Sequence, residues 1–173
     1  MNPLQKDVWN SYVDFRREHE CRIRNLAINT TAQSVEEGQA LWRLANFYIL
    51  VKSYAFVESA LLKYASSRGW QVDGLADCVQ LLQSDEQYRH FVDDIRGRRE
   101  TDPDYKNYIP DNRVDFYHNL ERMRRHRNRF IHDWKSDTPD DIEWVLDSVV
   151  DLVVEFVTGH ATDAVLDELE KED

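Results

Sequence analysis

Helix breakers are scarce in this chain, and that scarcity constrains the fold more than any other feature. Its 173 residues contain 5 glycines and 4 prolines. Several long segments therefore run uninterrupted, which favours helices over a strand-and-turn architecture. Asn2-Pro3 reads as an N-cap followed by proline at the first helical position. A first helix is expected to about Ala27, with Trp9, Tyr12, Val13, Phe15, Ile23 and Leu26 as its apolar members, until Asn29-Thr30-Thr31 breaks it. Ser34-Val35-Glu36-Glu37 then reads as a capping box, opening a long helix that ends near Gly69. In that helix Phe47, Leu50, Tyr54, Val57 and Leu61 accompany the stripe Leu41, Leu44, Tyr48, Val51. Apolar nearly all round, it is predicted to be the central and most buried helix.

A shorter pair of helices is expected at Leu75–Gln83 and Asp85–Arg98. The stretch from Asp102 to Pro110 is too rich in turn formers to be helical. Within it, Tyr105 and Tyr108 read as residues that fasten the loop to the body, although with Lys106 they also suit base stacking. A further helix spans about Val114 to Trp134, and Lys135-Ser136-Asp137 make a turn. Thr138-Pro139-Asp140-Asp141 start the last helix with cap and dipole signals. On that helix Asp147, Asp151 and Glu155 recur every four residues and read as a solvated face. No repeat and no strand is evident. The expectation is an all-α fold in a single domain over residues 1–173, a bundle of four long helices plus a short helical insertion.

Composition narrows the function. A content of 42% hydrophobic and 32% charged residues suits a globular chain with a sizeable core. The net charge of −11 argues against a general nucleic-acid coat or a membrane-surface protein, but leaves room for a locally basic groove. Cys21 and Cys78 form no C-x-x-C pair, so neither zinc nor a disulfide framework is indicated. The six histidines make no ligand pattern such as H-E-x-x-H, and there is no Gly-rich phosphate loop and no G-x-S-x-G. Asp93-Asp94 and Asp140-Asp141 read as solvated or capping charges. No metal and no cofactor is expected. With no apolar signal-type run and no span of about 18 uncharged apolar residues, the expected location is cytoplasmic, with no membrane partner.

Two charges then break the hydrophobic pattern of two separate helices. Phe116, Leu120 and Met123 lead in steps of four and three to Arg127, and on to Phe130 and Trp134. A guanidinium in core register is costly unless something pairs with it. On the long central helix the stripe continues Val51, Ala55, Glu58, Leu62, Ala65, while Lys52, Ser59, Lys63 and Ser66 mark the polar face elsewhere. Glu58 and Arg127 are therefore expected to form a two-pronged pair. A purely structural ion pair between packed helices would give the same pattern. The opposite flank of the Arg127 helix reads His118, Arg122, Arg125, Arg129, His132, a basic ridge on an acidic protein. Solvated faces often look like this, yet a phosphodiester laid along it would meet point charges and then an imidazole. Arg122, Arg125, Arg129 and Arg124 are the candidate substrate-binding residues, and His126 is placed off the ridge as a secondary contact. Arg127 and His132 stand about 140° apart around a straight helix. Either the helix ends or distorts near His132, or two copies face each other across a dimer.

The hexad Arg127-Asn128-Arg129-Phe130-Ile131-His132 has the form R-N-x-x-x-H. It falls on the penultimate long helix of an all-helical chain, with a glutamate on an earlier one. Together with the run Leu44 to Val51 leading to Phe56-Val57-Glu58, it resembles the HEPN superfamily, above all its small stand-alone prokaryotic nucleases. The resemblance covers about residues 34–157, taken as the domain core. It implies a metal-independent endoribonuclease, usually a homodimer with a composite active site, acting as a toxin or an antiphage or stress effector. The ribose 2′-OH would attack the adjacent phosphate and leave a 2′,3′-cyclic phosphate. Arg127 would bind the phosphate, His132 would act as general acid or base, Asn128 would orient the site, and Glu58 would hold the arginine. An antitoxin or regulatory partner protein is also implied. The chain departs from the pattern in two places: Asp133 stands where many relatives have glycine, and Trp134 where one subgroup carries a modifiable tyrosine. The alternative reading is a catalytically silent helical module that binds a nucleotide or a partner helix in the same cleft.

Overall fold

The computed structural model describes residues 1–18, 35–102, 116–133 and 145–162, and every regular element among them is helical. Helix α1, Pro3–Glu18, begins as its sequence suggests. The Gln5 N–H donates to Asn2 Oδ1 (2.9 Å) and the Asn2 N–H to Gln5 Oε1 (2.8 Å), a reciprocal capping box that leaves Pro3 at the first turn. Helix α2, Val35–Ser67, stops at Gly69, whose φ of 72° only glycine adopts cheaply. The Trp70 N–H returns to the Ala65 carbonyl at 2.9 Å, closing the helix end.

The short pair is α3, Leu75–Leu82, and α4, Glu86–Thr101. Asp85 caps α4 by accepting the Tyr88 N–H at 2.9 Å, and its other oxygen pairs with Arg68 at 3.0 Å, which ties α4 to the end of α2. Helix α5, Phe116–Asp133, carries the hexad. A π-helical turn, Leu146–Asp151, runs directly into α6, Leu152–Thr158. The expected extension of α1 to Ala27, the Ser34 cap, the loop with Tyr105 and Tyr108, and the start of the last helix at 138–141 lie outside the described residues, as does Cys21.

Helix α2 is central, lying against α1, α3, α5, α6 and the π turn. The burial, however, corrects two expectations. The stripe at the start of α2 is not in the core: Leu44 is 60% and Trp42 54% exposed, with Leu41 and Tyr48 also open. The most enclosed segment is instead residues 149–158, every one of them buried. The second correction follows from the first. Asp151 and Glu155 were expected on a solvated face, yet they are 1% and 8% exposed. Asp151 is held because Arg16 of α1 is also in core register, at 3% exposure. The Arg16 Nη2 donates to both Asp151 oxygens (2.7 and 2.6 Å) and the Tyr12 hydroxyl donates to Asp151 Oδ1 at 2.8 Å. Burial works against the Arg16 charge, but Asp151 and Tyr12 overcome it and hold the guanidinium protonated. Glu155 is met by Arg98 at 3.6 Å and accepts the Thr162 N–H at 3.2 Å. Residues 149–158 are packed on all sides and leave these two acids no solvated face, so each is matched internally; the side chain of Asp147 lies outside the described residues.

The remaining core is aromatic and aliphatic. Phe156 stands 4.7 Å from Tyr64 and 5.6 Å from Tyr88 between ring centres, joining α6 to α2 and α4. No described helix is long and apolar enough to cross a membrane.

Candidate functional site on α5

Helix α5 is anchored by Leu120 and Met123, both buried, and packs on α2 and the π turn. Arg127 is next in that stripe and half-buried. The guanidinium does not pair with Glu58: among the described residues no carboxylate lies within ion-pair distance of it. Its carbon sits 5.1 Å from the centre of the Tyr54 ring, and its Nη1 donates to Asn128 Oδ1 at 2.9 Å. Tyr54 precedes Glu58 by one turn on the same face of α2, so the ring occupies the seat expected for the carboxylate. Glu58 acts at longer range. Burial and then the Glu58 charge push the Tyr54 hydroxyl above its ordinary value, while Arg127 and Arg124 pull it down.

Arg124 belongs to this α2-facing side. It is bonded to Glu121 at 3.0 Å, and its Nε is buried without a hydrogen bond. The arrangement is thus an aromatic ring ringed by alternating charges, Glu58 from α2 and Arg127, Arg124 and Glu121 from α5.

The other arginines face away. Arg125 and Arg129 stand about 160° from Arg127 around the helix. With Tyr117, His118, Arg122 and His126 they line a groove of about 540 Å³, into which Glu121 also reaches. His126, expected off the ridge, is part of this wall. Arg125 and Arg129 are exposed, and among the described residues neither has an ion-pair partner, on a chain with 33 acidic against 22 basic residues. Such a groove attracts anions and has the size of a small-ligand site.

His132 lies one residue before Asp133, the last described residue of α5; its side chain, like those of Phe130, Ile131 and Asp133, is outside the described residues, and so is Trp134. The structure therefore brings Arg127, Asn128, Tyr54 and Glu58 together on one side of α5 and Arg122, Arg125 and Arg129 on the other. Tyr54 was the residue the sequence reading missed. Its signal was its spacing, four residues before a glutamate already singled out, with an aromatic face suited to a guanidinium.

Among the described residues no group of three histidine, cysteine, aspartate or glutamate side chains is arranged to hold a metal ion. No protein-family model, no curated protein and no solved structure matches the chain.

Proposed function

We propose that this protein is a metal-independent endoribonuclease of HEPN type, built as a bundle of four long helices with α3 and α4 as the insertion. The observation that carries the reading is the pair of basic faces on one helix of an acidic chain. One face holds a half-buried arginine from the R-N-x-x-x-H hexad, seated against α2. The other lines an arginine-rich groove. In this reading RNA runs along Arg122, Arg125 and Arg129, with point charges on its phosphates. At the scissile phosphate the 2′-oxygen bonds to phosphorus as the bond to the 5′-oxygen breaks. His132 exchanges the proton, and Arg127 meets the charge that builds on the non-bridging oxygens.

Because Arg127 and the groove diverge on a single helix, the active site in this reading is composite, with a second copy supplying the facing wall. The exposed stripe of Leu41, Leu44 and Tyr48 at the start of α2 supports a homodimer. Toxin or antiphage activity held in check by a partner protein in the cytoplasm completes the proposal. The same divergence favours the second reading, a silent module that holds a nucleotide in the groove and never brings Arg127 to it.

The test compares wild type, Arg127→Ala and His132→Ala on end-labelled structured and unstructured RNAs, in EDTA. Cleavage by wild type alone, leaving 2′,3′-cyclic phosphate ends, is the expected outcome. Activity that EDTA removes, or that survives both substitutions, would overturn the mechanism.

A further inference from the structure

The way Arg127 is seated bears on what it can bind. A guanidinium carries its N–H donors in the plane of the group. A two-pronged pair with a carboxylate takes up two of them and points the fork inward. Here the support comes from the Tyr54 ring, 5.1 Å from the guanidinium carbon, and an aromatic ring attracts the cation electrostatically without accepting its in-plane donors. Asn128 Oδ1 takes one N–H of Nη1, and among the described residues the other donors have no acceptor. Tyr54 itself is fixed: it is half-buried on the long helix α2, which is anchored along the same face by Leu50, Val57 and Leu61, all buried.

Resting on the nuclease reading, we propose that Tyr54 is the positioning residue of the site, holding Arg127 over its ring so that the remaining guanidinium donors are free to bind a phosphate. Glu58, beyond ion-pair distance, supplies only a background of negative charge that keeps the arginine on this side of α5. The tyrosine ring, not its hydroxyl, is the functional part.

The experiment uses the full chain and two probes. One is a short single-stranded RNA made uncleavable by 2′-O-methylation, for affinity; the other is the same RNA unmodified, for cleavage. Tyr54→Phe keeps the aromatic face and is expected to match wild type in both. Tyr54→Leu is expected to weaken binding and cleavage by about 3- to 30-fold, the range for a cation–π contact, and to cost nothing further in an Arg127→Ala background. A loss on Tyr54→Leu that is equal in both backgrounds, or Tyr54→Phe as damaging as Tyr54→Leu, would overturn the proposal. Urea unfolding of wild type, Tyr54→Leu, Arg127→Ala and the double variant separates this from failure of the nuclease reading. If Arg127→Ala alters neither binding nor cleavage, that reading fails. Non-additive unfolding effects of the two substitutions then uphold the seat, and additive ones reject it.

Discussion

Arg16 and Arg127 both stand in core register, and they are stabilised in opposite ways. Arg16 is enclosed with Asp151 and Tyr12, whereas Arg127 leans on a ring with most of its donors open. The consequences of removing their neighbours should differ accordingly. Asp151→Asn leaves a buried guanidinium beside a neutral amide and is expected to cost about 3–5 kcal/mol of stability in urea unfolding, because an uncompensated buried charge loses its solvation without recovering it. Replacing both partners, Arg16→Met with Asp151→Leu, should recover most of that loss. A near-neutral Asp151→Asn would show that the triad is not holding a charge. Arg127→Ala, by contrast, should change stability by less than about 1 kcal/mol while abolishing cleavage, since a half-buried cation over a ring contributes little to folding. The sequence argument that singled out Arg127 applies equally to Arg16, which follows Val8 and Tyr12 in steps of four.

At the scale of elements, the long helix α2 has two characters along its length. Its later part, from Ile49 to Ala65, supplies much of the core. Its first part carries Leu41, Trp42, Leu44 and Tyr48 exposed. Apolar exposure at helical spacing is costly in water, and the proposed function gives this surface a partner to cover it. If that partner is a second copy, as the composite site requires, the protein sediments as a dimer. Leu44→Glu should then shift it to monomer and remove cleavage while leaving the helical content unchanged, because this side chain is 60% exposed. A wild-type monomer at micromolar concentration would remove the basis for a shared cleft. The last helix teaches the converse lesson. Its acids recur with the spacing of a solvated face, yet residues 149–158 are enclosed on all sides, and spacing alone does not show how many neighbours surround a helix.

For the molecule as a whole, the buried hydroxyl and thiol groups set an alkaline limit to stability. Burial pushes the Cys78 thiol up from 9.0 to about 11, and burial also raises Tyr12 and Tyr64 above their usual 10.0, each helped by a neighbouring aspartate. A raised folded-state value means that the folded chain keeps its proton while the unfolded chain releases it. The Cys78 contribution is therefore fully present below about pH 9 and is lost as pH rises through about 11. Cys78→Val removes that contribution and should flatten the decline in stability between those limits, by at most about 3 kcal/mol for a two-unit shift. An unchanged slope would place the alkaline sensitivity in the tyrosines.

The sequence by itself determined the helices: where α1 begins at Asn2-Pro3, where α2 stops at Gly69, and that the hexad lies on one helix with a basic flank. These are local properties, written in breaker placement, capping residues and periodicity, and they need no knowledge of neighbours. It also marked Arg127 and Glu58 as out of place. Only the tertiary structure decided who meets whom. Tyr54 took the seat expected of Glu58, Asp151 turned inward to Arg16, and the first turns of α2 were left outside. In each case the physical reason is that a periodic face can pack in several ways, and its partner is chosen by helices distant in sequence. Charge–ring and charge–charge contacts then follow that choice and do not dictate it.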